Sequence, residues 1–243
     1  MISPLLANVA LHGFEEALVS GAPQKRRPAV IRYADDLVVL HEDLETLLKL
    51  KARAETWLAE MGLQLKPSKT RITHSLNAYE GRVGFDFLGF SIRQHRVGKY
   101  HTRTFRGQPG FKTLIKPSKE ACKRHLRRVK AVIRQHRGAP QAALVSALNA
   151  VIRGWALYYR TCVAKCTSDR MDAQVFRKLY QWAKWRHPRK FGKWRYGRYW
   201  QRQRGRINFG NGTSFLARYA DTPIIRHVKV RGDKSPYDEH WLY

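Results

Sequence analysis

Val30-Ile31-Arg32-Tyr33-Ala34-Asp35-Asp36-Leu37-Val38-Val39-Leu40 sets two adjacent carboxylates between two short apolar runs. The runs are aliphatic and β-branched and too short for helices, so they read as strand, tight turn, strand. Neighbouring acids at such a turn repel unless something positive neutralises them, and divalent metal ions are the usual reason to pair them on a rigid hairpin. Taken alone, the same pair also suits a plain polar turn that needs no metal.

Outward from this hairpin, residues 3–19 read as one helix, with Ser3 as N-cap and Pro4 in the first turn. Gln24 to Pro28 forms a basic loop. Downstream, Asp43 caps a second helix whose stripe is Leu44, Leu47, Leu48, Ala54, Trp57, Leu58 and Met61, and Gly62 stops it. Leu63–Leu65 and Thr70–His74 read as short strands around a Lys66–Thr70 turn. Phe85 to Ile92 alternates, with a bulge or close backbone approach expected at Gly89. Helix, hairpin, helix and further strands predict an α+β fold, an antiparallel sheet backed by helices.

Residues 93–116 are Gly-, Arg- and Lys-rich and read as a linker or loose hairpin, and beyond them the period becomes helical. Cys122, Leu126, Val129 and Ile133 line one helix from Ser118; a second starts near Pro140 and a third near Ser168, ending before Pro188. Three antiparallel helices with basic outer faces predict a small bundle. After Pro188 the pattern fades into a basic tail, with a short helix expected at Phe215–Tyr219 and a strand or arm at Ile224–Val230. The expected domains are therefore 1–95, a linker at 96–116, a helical domain at 117–187 and a basic segment at 188–243.

Charge separates the two halves. The chain carries a formal +29, yet residues 1–90 hold 11 Lys+Arg against 11 Asp+Glu, and residues 91–243 hold 36 against 7. A large excess confined to one part implies a polyanionic partner. Trp182, Trp185, Trp194, Tyr196, Tyr199 and Trp200 interleave with that charge, and aromatic faces beside Arg suit unstacked bases as well as phosphates. Trp182 reads as helix core. Cys122, Cys162 and Cys166 form no C-x-x-C pair, so structural zinc is not expected, and they read as buried thiols in a reducing compartment. No signal peptide and no membrane-spanning run is evident, which points to the cytoplasm.

Tyr33-Ala34-Asp35-Asp36 in an apolar hairpin, then a helix, Lys69 and Phe87-Leu88-Gly89-Phe90, resembles reverse transcriptases. Ser3-Pro4-Leu5-Leu6-Ala7-Asn8 is similar to the segment after the Gln-Gly turn of their palm. Arg153-Gly154-Trp155 with Tyr158-Tyr159 resembles the thumb, or maturase (X) domain, of group II intron-encoded proteins. Arg226 to Val230 and Ser235 to Asp238 are similar to the segment beyond that thumb.

The resemblance implies a partial palm followed by a helical thumb and a basic segment. It implies RNA-templated DNA synthesis by two-metal nucleotidyl transfer, with Asp35 and Asp36 as Mg²⁺ ligands. It places Tyr33 and Lys69 near the nucleotide, and Phe87, Leu88 and Gly89 at the primer. RNA contacts are expected from Arg124, Arg127, Arg128, Lys130, Arg153, Tyr159, Arg189, Lys190, Lys193, Arg195 and Arg198. The expected partners are group II intron RNA and target DNA. The family draws a further carboxylate from an upstream strand, so the chain reads as a fragment, and polymerisation is expected to need a separate chain supplying the fingers. RNA-binding splicing assistance without catalysis, or a non-functional remnant, are the alternative readings.

Overall fold

The computed structural model describes residues 3–23, 26–97, 104–105 and 108–225. They form two compact units, divided between Leu88 and Gly89.

In the first unit, α1 (Ser3–Ala10) and α2 (Phe14–Val19) replace the single helix expected over 3–19. Gly13, with φ of 78°, breaks it, taking a left-handed backbone that a Cβ would oppose. Strands β1 (Ala29–Tyr33) and β2 (Asp36–Leu40) pair antiparallel, with Tyr33 opposite Asp36 and Val30 opposite Val39. Period-two alternation sends Val30, Leu37 and Val39 to one face. There they pack with Leu11, Phe14 and Leu18 and with Ala54, Trp57 and Leu58 of α3 (Leu44–Glu60). The Phe14 and Trp57 rings meet at 4.9 Å.

Both expected ends of α3 are present. The Asp43 carboxylate accepts from the Thr46 N–H at 2.8 Å and the Thr46 hydroxyl at 2.7 Å. At the other end, the Gly62 N–H donates to Ala59 O at 3.0 Å and the Leu63 N–H to Leu58 O at 2.8 Å, with Gly62 at φ 69°. These two bonds are the paired closure of a Schellman cap. Leu44, Leu48 and Met61, expected on the buried stripe, are exposed. The strands expected at 63–65 and 70–74 are corrected: there the described backbone carries one isolated bridge, His74 to Val83, and no ladder. A short apolar run becomes a strand only when a neighbour satisfies its N–H and C=O groups. A three-residue strand, β3 (Phe85–Phe87), closes the unit.

The second unit opens on β4 (Phe90–Arg96), paired antiparallel along its whole length with β7 (Phe111–Pro117). Between them lies a short ladder, β5 (Thr104–Phe105) with β6 (Gln108–Pro109). Of the two readings of that stretch, linker or loose hairpin, the described residues carry the hairpin. Helices α4 (Lys119–Gln135), α5 (Gln141–Tyr158) and α6 (Lys165–Arg186) follow as expected, α6 starting three residues early. Ser118 caps α4 by accepting from the Ala121 N–H at 3.1 Å.

The basic segment after Pro188 is not a tail. It folds into α7 (Gly192–Tyr199) and a hairpin of β8 (Trp200–Gln203) with β9 (Arg206–Phe209). Tyr199, Trp200, Phe209, Leu216 and Tyr219 complete one core with Val129, Leu144, Leu148, Ile152, Val175, Leu179 and Trp182. The short helix expected at 215–219 is a 3₁₀ turn at Tyr219–Asp221, whose Tyr219 and Ala220 N–H groups donate to Asp172 at 2.9 and 3.1 Å. The arm expected at 224–230 and the Ser235–Asp238 segment lie mostly or wholly outside the described residues. Burial pushes the Cys162 thiol up to about 11 and raises Cys122 as well, which keeps both protonated and unreactive, whereas Cys166, read as buried, is exposed. Among the described residues no helix is long and apolar enough to cross a membrane.

Candidate carboxylate turn and nucleic-acid interface

In the first unit, Ala34 and Asp35 form a two-residue turn joining β1 and β2, and Ala34 takes a φ of 54°. A left-handed Ala costs roughly 1–2 kcal/mol, a strain of the kind held at functional turns. Arg32, the hairpin's own cation, faces the core side with Val30 and Leu37. Its Nε pairs with Glu15 at 2.7 Å, and its Nη1 donates to Asn8 at 3.0 Å and Ala34 O at 3.4 Å. Arg32 therefore braces the turn from behind and does not neutralise the acids. Asp35, Asp36 and Tyr33 are all exposed, Tyr33 at 65%. Among the described residues neither carboxylate has an ion-pair partner.

Mg²⁺ is commonly held through one or two carboxylates, with water and substrate phosphates completing six oxygens. Two open, uncompensated carboxylates on a braced turn fit part of such a shell. Among the described residues no third His, Cys, Asp or Glu joins them in a metal-holding cluster. Lys69 stands exposed on its own turn, where its N–H donates to Lys66 O at 2.9 Å.

Leu88 (φ 48°) and Gly89 (φ 80°) both take positive φ, so the chain turns tightly where a bulge or close backbone approach was expected. In the second unit the Gly89 carbonyl accepts from the Ser118 N–H at 2.8 Å and the Tyr159 hydroxyl at 3.1 Å. A Cβ on Gly89 would lie 2.7 Å from that hydroxyl. Gly89→Ala is expected to cost about 1–3 kcal/mol from strain and crowding together. Gly154→Ala, in open space within α5, is expected to gain roughly 0.5–1 kcal/mol. Thermal melts of the two variants check the opposite signs.

Tyr159 and Arg195, both expected at RNA, are corrected by burial. Tyr159 is 4% exposed among Phe90, Trp155 and Tyr158, and burial raises its hydroxyl to about 12. Arg195 is 8% exposed, and its guanidinium donates to the His187 carbonyl at 3.2 Å and to the Lys190 carbonyl. Arg124, Arg127, Arg128 and Lys130 on α4, Arg153 on α5, Arg189 and Lys190 before α7, and Lys193 and Arg198 on it are all exposed.

Sequence reading overlooked the order among the α4 cations. Lys119, Lys123, Arg127, Lys130 and Arg134 are exposed and follow one another at helical spacing. At ~100° per residue they fall within an arc of about 80°, along roughly 22 Å of helix. One acid, Glu120, interrupts the row, pairing with Arg127 at 2.5 Å. Such an exposed pair contributes only about 0–1 kcal/mol and yields readily to a phosphate.

Residues 1–92 match the reverse transcriptase (RNA-dependent DNA polymerase) family, and residues 122–200 match the group II intron, maturase-specific domain. The chain belongs to the group II intron reverse transcriptase/maturases. The carboxylate turn lies in its reverse-transcriptase segment and the α4 row in its maturase domain. The maturase match runs from α4 through Trp200, so α7 belongs with the three helices, as their common core requires. Both domains imply nucleic-acid binding, and reverse transcriptases as a family use divalent metal ions. Comparison with individually curated proteins finds no match.

Proposed function

We propose that this reverse transcriptase/maturase holds group II intron RNA chiefly through the phosphate backbone, on the α4 row. The observation that supports this most directly is five exposed cations in one row on a half of the chain that carries the entire net charge. Arg153, Lys193 and Arg198 extend the same reading, and target DNA would be held by the same electrostatics. Asp35 and Asp36 are the proposed Mg²⁺ ligands. Bound there, the metal would activate a primer hydroxyl and offset charge on the leaving pyrophosphate. Tyr33 and Lys69 are proposed at the nucleotide and the Phe87–Gly89 turn at the primer. A partner chain carrying the fingers is the proposed source of a further carboxylate, and the cytoplasm the proposed compartment.

RNA binding that assists splicing without DNA synthesis rests on the same charge, and one experiment tests the RNA reading and the metal assignment independently. Intron-like structured RNA is titrated with the full chain across a salt series, alongside Mn²⁺ line-broadening at the hairpin resonances. The expected result is a log–log salt slope of about −4, one phosphate for each of the five cations at ~0.7–0.9 apiece. Asp35→Asn is expected to leave that slope unchanged while weakening Mn²⁺ binding roughly tenfold. A salt-insensitive affinity would overturn the RNA reading. Unchanged Mn²⁺ broadening in Asp35→Asn would overturn the metal assignment.

A further inference from the structure

A second surface of the maturase domain has a chemistry that phosphate binding does not use. On α7, Tyr196 stacks on Trp200 with centroids 5.4 Å apart and planes at 12°. On α6, Phe176 and Tyr180 lie nearly parallel at 6.5 Å, and Phe176 meets the same Trp200 ring at 5.4 Å. Trp200 is 5% exposed and forms the floor, whereas Phe176 and Tyr196 remain 42% and 36% exposed. Aromatics serving only as core in this domain look different: Trp182 and Tyr199 are 3% and 6% exposed.

The sequence around these rings is basic: from Ala173 through Ala220 there is no Asp or Glu, against thirteen Lys and Arg. Asp172, one helical turn before Phe176, is engaged by the Tyr219 and Ala220 N–H groups. Lys193 lies one helical turn before Tyr196 on α7, and Arg177, next to Phe176 on α6, is exposed. An acidic or purely apolar protein partner would not need open ring faces ordered this way. Unpaired nucleotides would, since every base has a π-face and every linkage a phosphate.

We infer that the Phe176/Tyr196 face over Trp200 binds an unpaired stretch of nucleic acid, its bases stacking on the exposed rings and its phosphates meeting the flanking cations. The inference rests on the proposed RNA-binding function and assigns to this face the single-stranded part of the ligand. A paired helix, whose bases are stacked on each other, offers the rings nothing, so duplex binding falls to the phosphate row alone.

The test uses the full chain with an oligouridylate of about twelve nucleotides and an RNA duplex of equal length at one salt concentration. Removing both rings, as Phe176→Ala with Tyr196→Ala, is expected to weaken oligouridylate binding by ~5-fold or more, given the measured range for base–aromatic stacking. Duplex affinity is expected to stay within twofold of the parent, and the thermal melt to remain a single cooperative transition. Tyr196→Phe, which keeps the ring, is expected to retain oligouridylate binding. Undiminished oligouridylate binding by the double variant, or an equal loss on both RNAs, would overturn the stacking site. Failure of the parent chain to bind either RNA would instead overturn the RNA reading beneath it.

Discussion

Replacing Lys123, Arg127, Lys130 and Arg134 together by Gln is expected to weaken binding to structured RNA by roughly 10²- to 10³-fold near 0.1 M salt. Each phosphate neutralised releases condensed counterions and adds ~0.7–0.9 to the slope of log affinity against log salt. Neutralising four fewer phosphates should flatten that slope by about 3. The four side chains are exposed, and among the described residues Arg127 alone of them has a carboxylate partner, Glu120. Their removal should therefore leave the fold alone. Filter binding or anisotropy across a salt series reads both quantities. A control with four Gln placed at Lys66, Arg82, Arg93 and Lys112, exposed cations outside the proposed RNA contacts, carries the same charge change off the row. If that control flattened the slope as much, bulk charge and not the ordered row would govern binding.

The second large effect lies in the core of the same domain. Tyr219→Ala is expected to cost about 3–5 kcal/mol, and so to lower Tm by roughly 10 °C for a domain of this size. Tyr219 is 1% exposed, meets Trp155 and His125 edge-on at 5.3 and 5.5 Å, and bonds His125 Nε2 through its hydroxyl at 2.6 Å. It also anchors the 3₁₀ turn that Asp172 caps from α6. Burial, with the Arg128 charge added, lowers His125 to about 4, so the ring is neutral and one ring nitrogen is free to accept a hydrogen bond. The unfolded chain binds that proton near 6.5, so it holds more protons than the folded chain between these values. Stability is thus expected to fall as pH drops from about 6.5 toward 4. His125→Gln should flatten this part of the Tm–pH profile, and a profile unchanged by the substitution would remove His125 as its source.

Local rules reached far into this chain where the interaction itself is local. Asp43, Gly62 and Ser118 act within one helical turn of their partners, so their caps followed from residue type and spacing alone. The carboxylate turn was legible for the same reason, because alternating aliphatics on either side of Asp35-Asp36 demand a hairpin. Gly13 shows the opposite case: an apolar stripe ran through it, and only the backbone conformation revealed the break between α1 and α2.

The candidate sites divide along the same line. Exposure of Arg124, Arg127, Arg128 and Lys130 followed from helical period, since the opposite face of α4 is apolar. The fates of Tyr159 and Arg195 did not, because a tyrosine or arginine can snorkel outward or be drawn inward by one carbonyl. For Tyr159 that carbonyl is Gly89, seventy residues away in the chain. For Arg195 the carbonyls are those of His187 and Lys190.

The chain by itself determined its four long helices α3 to α6, its carboxylate hairpin, the sign of its partner and the family to which it belongs. All of these depend on residues within a few positions of one another or on summed charge. Tertiary structure alone decided that the basic stretch after Pro188 folds onto the helices instead of trailing from them. Tyr199, Trp200, Phe209 and Tyr219 find their burial only against α4, α5 and α6, through packing that no local period encodes. The same long-range packing sinks Trp200 and leaves Tyr196 and Phe176 open above it.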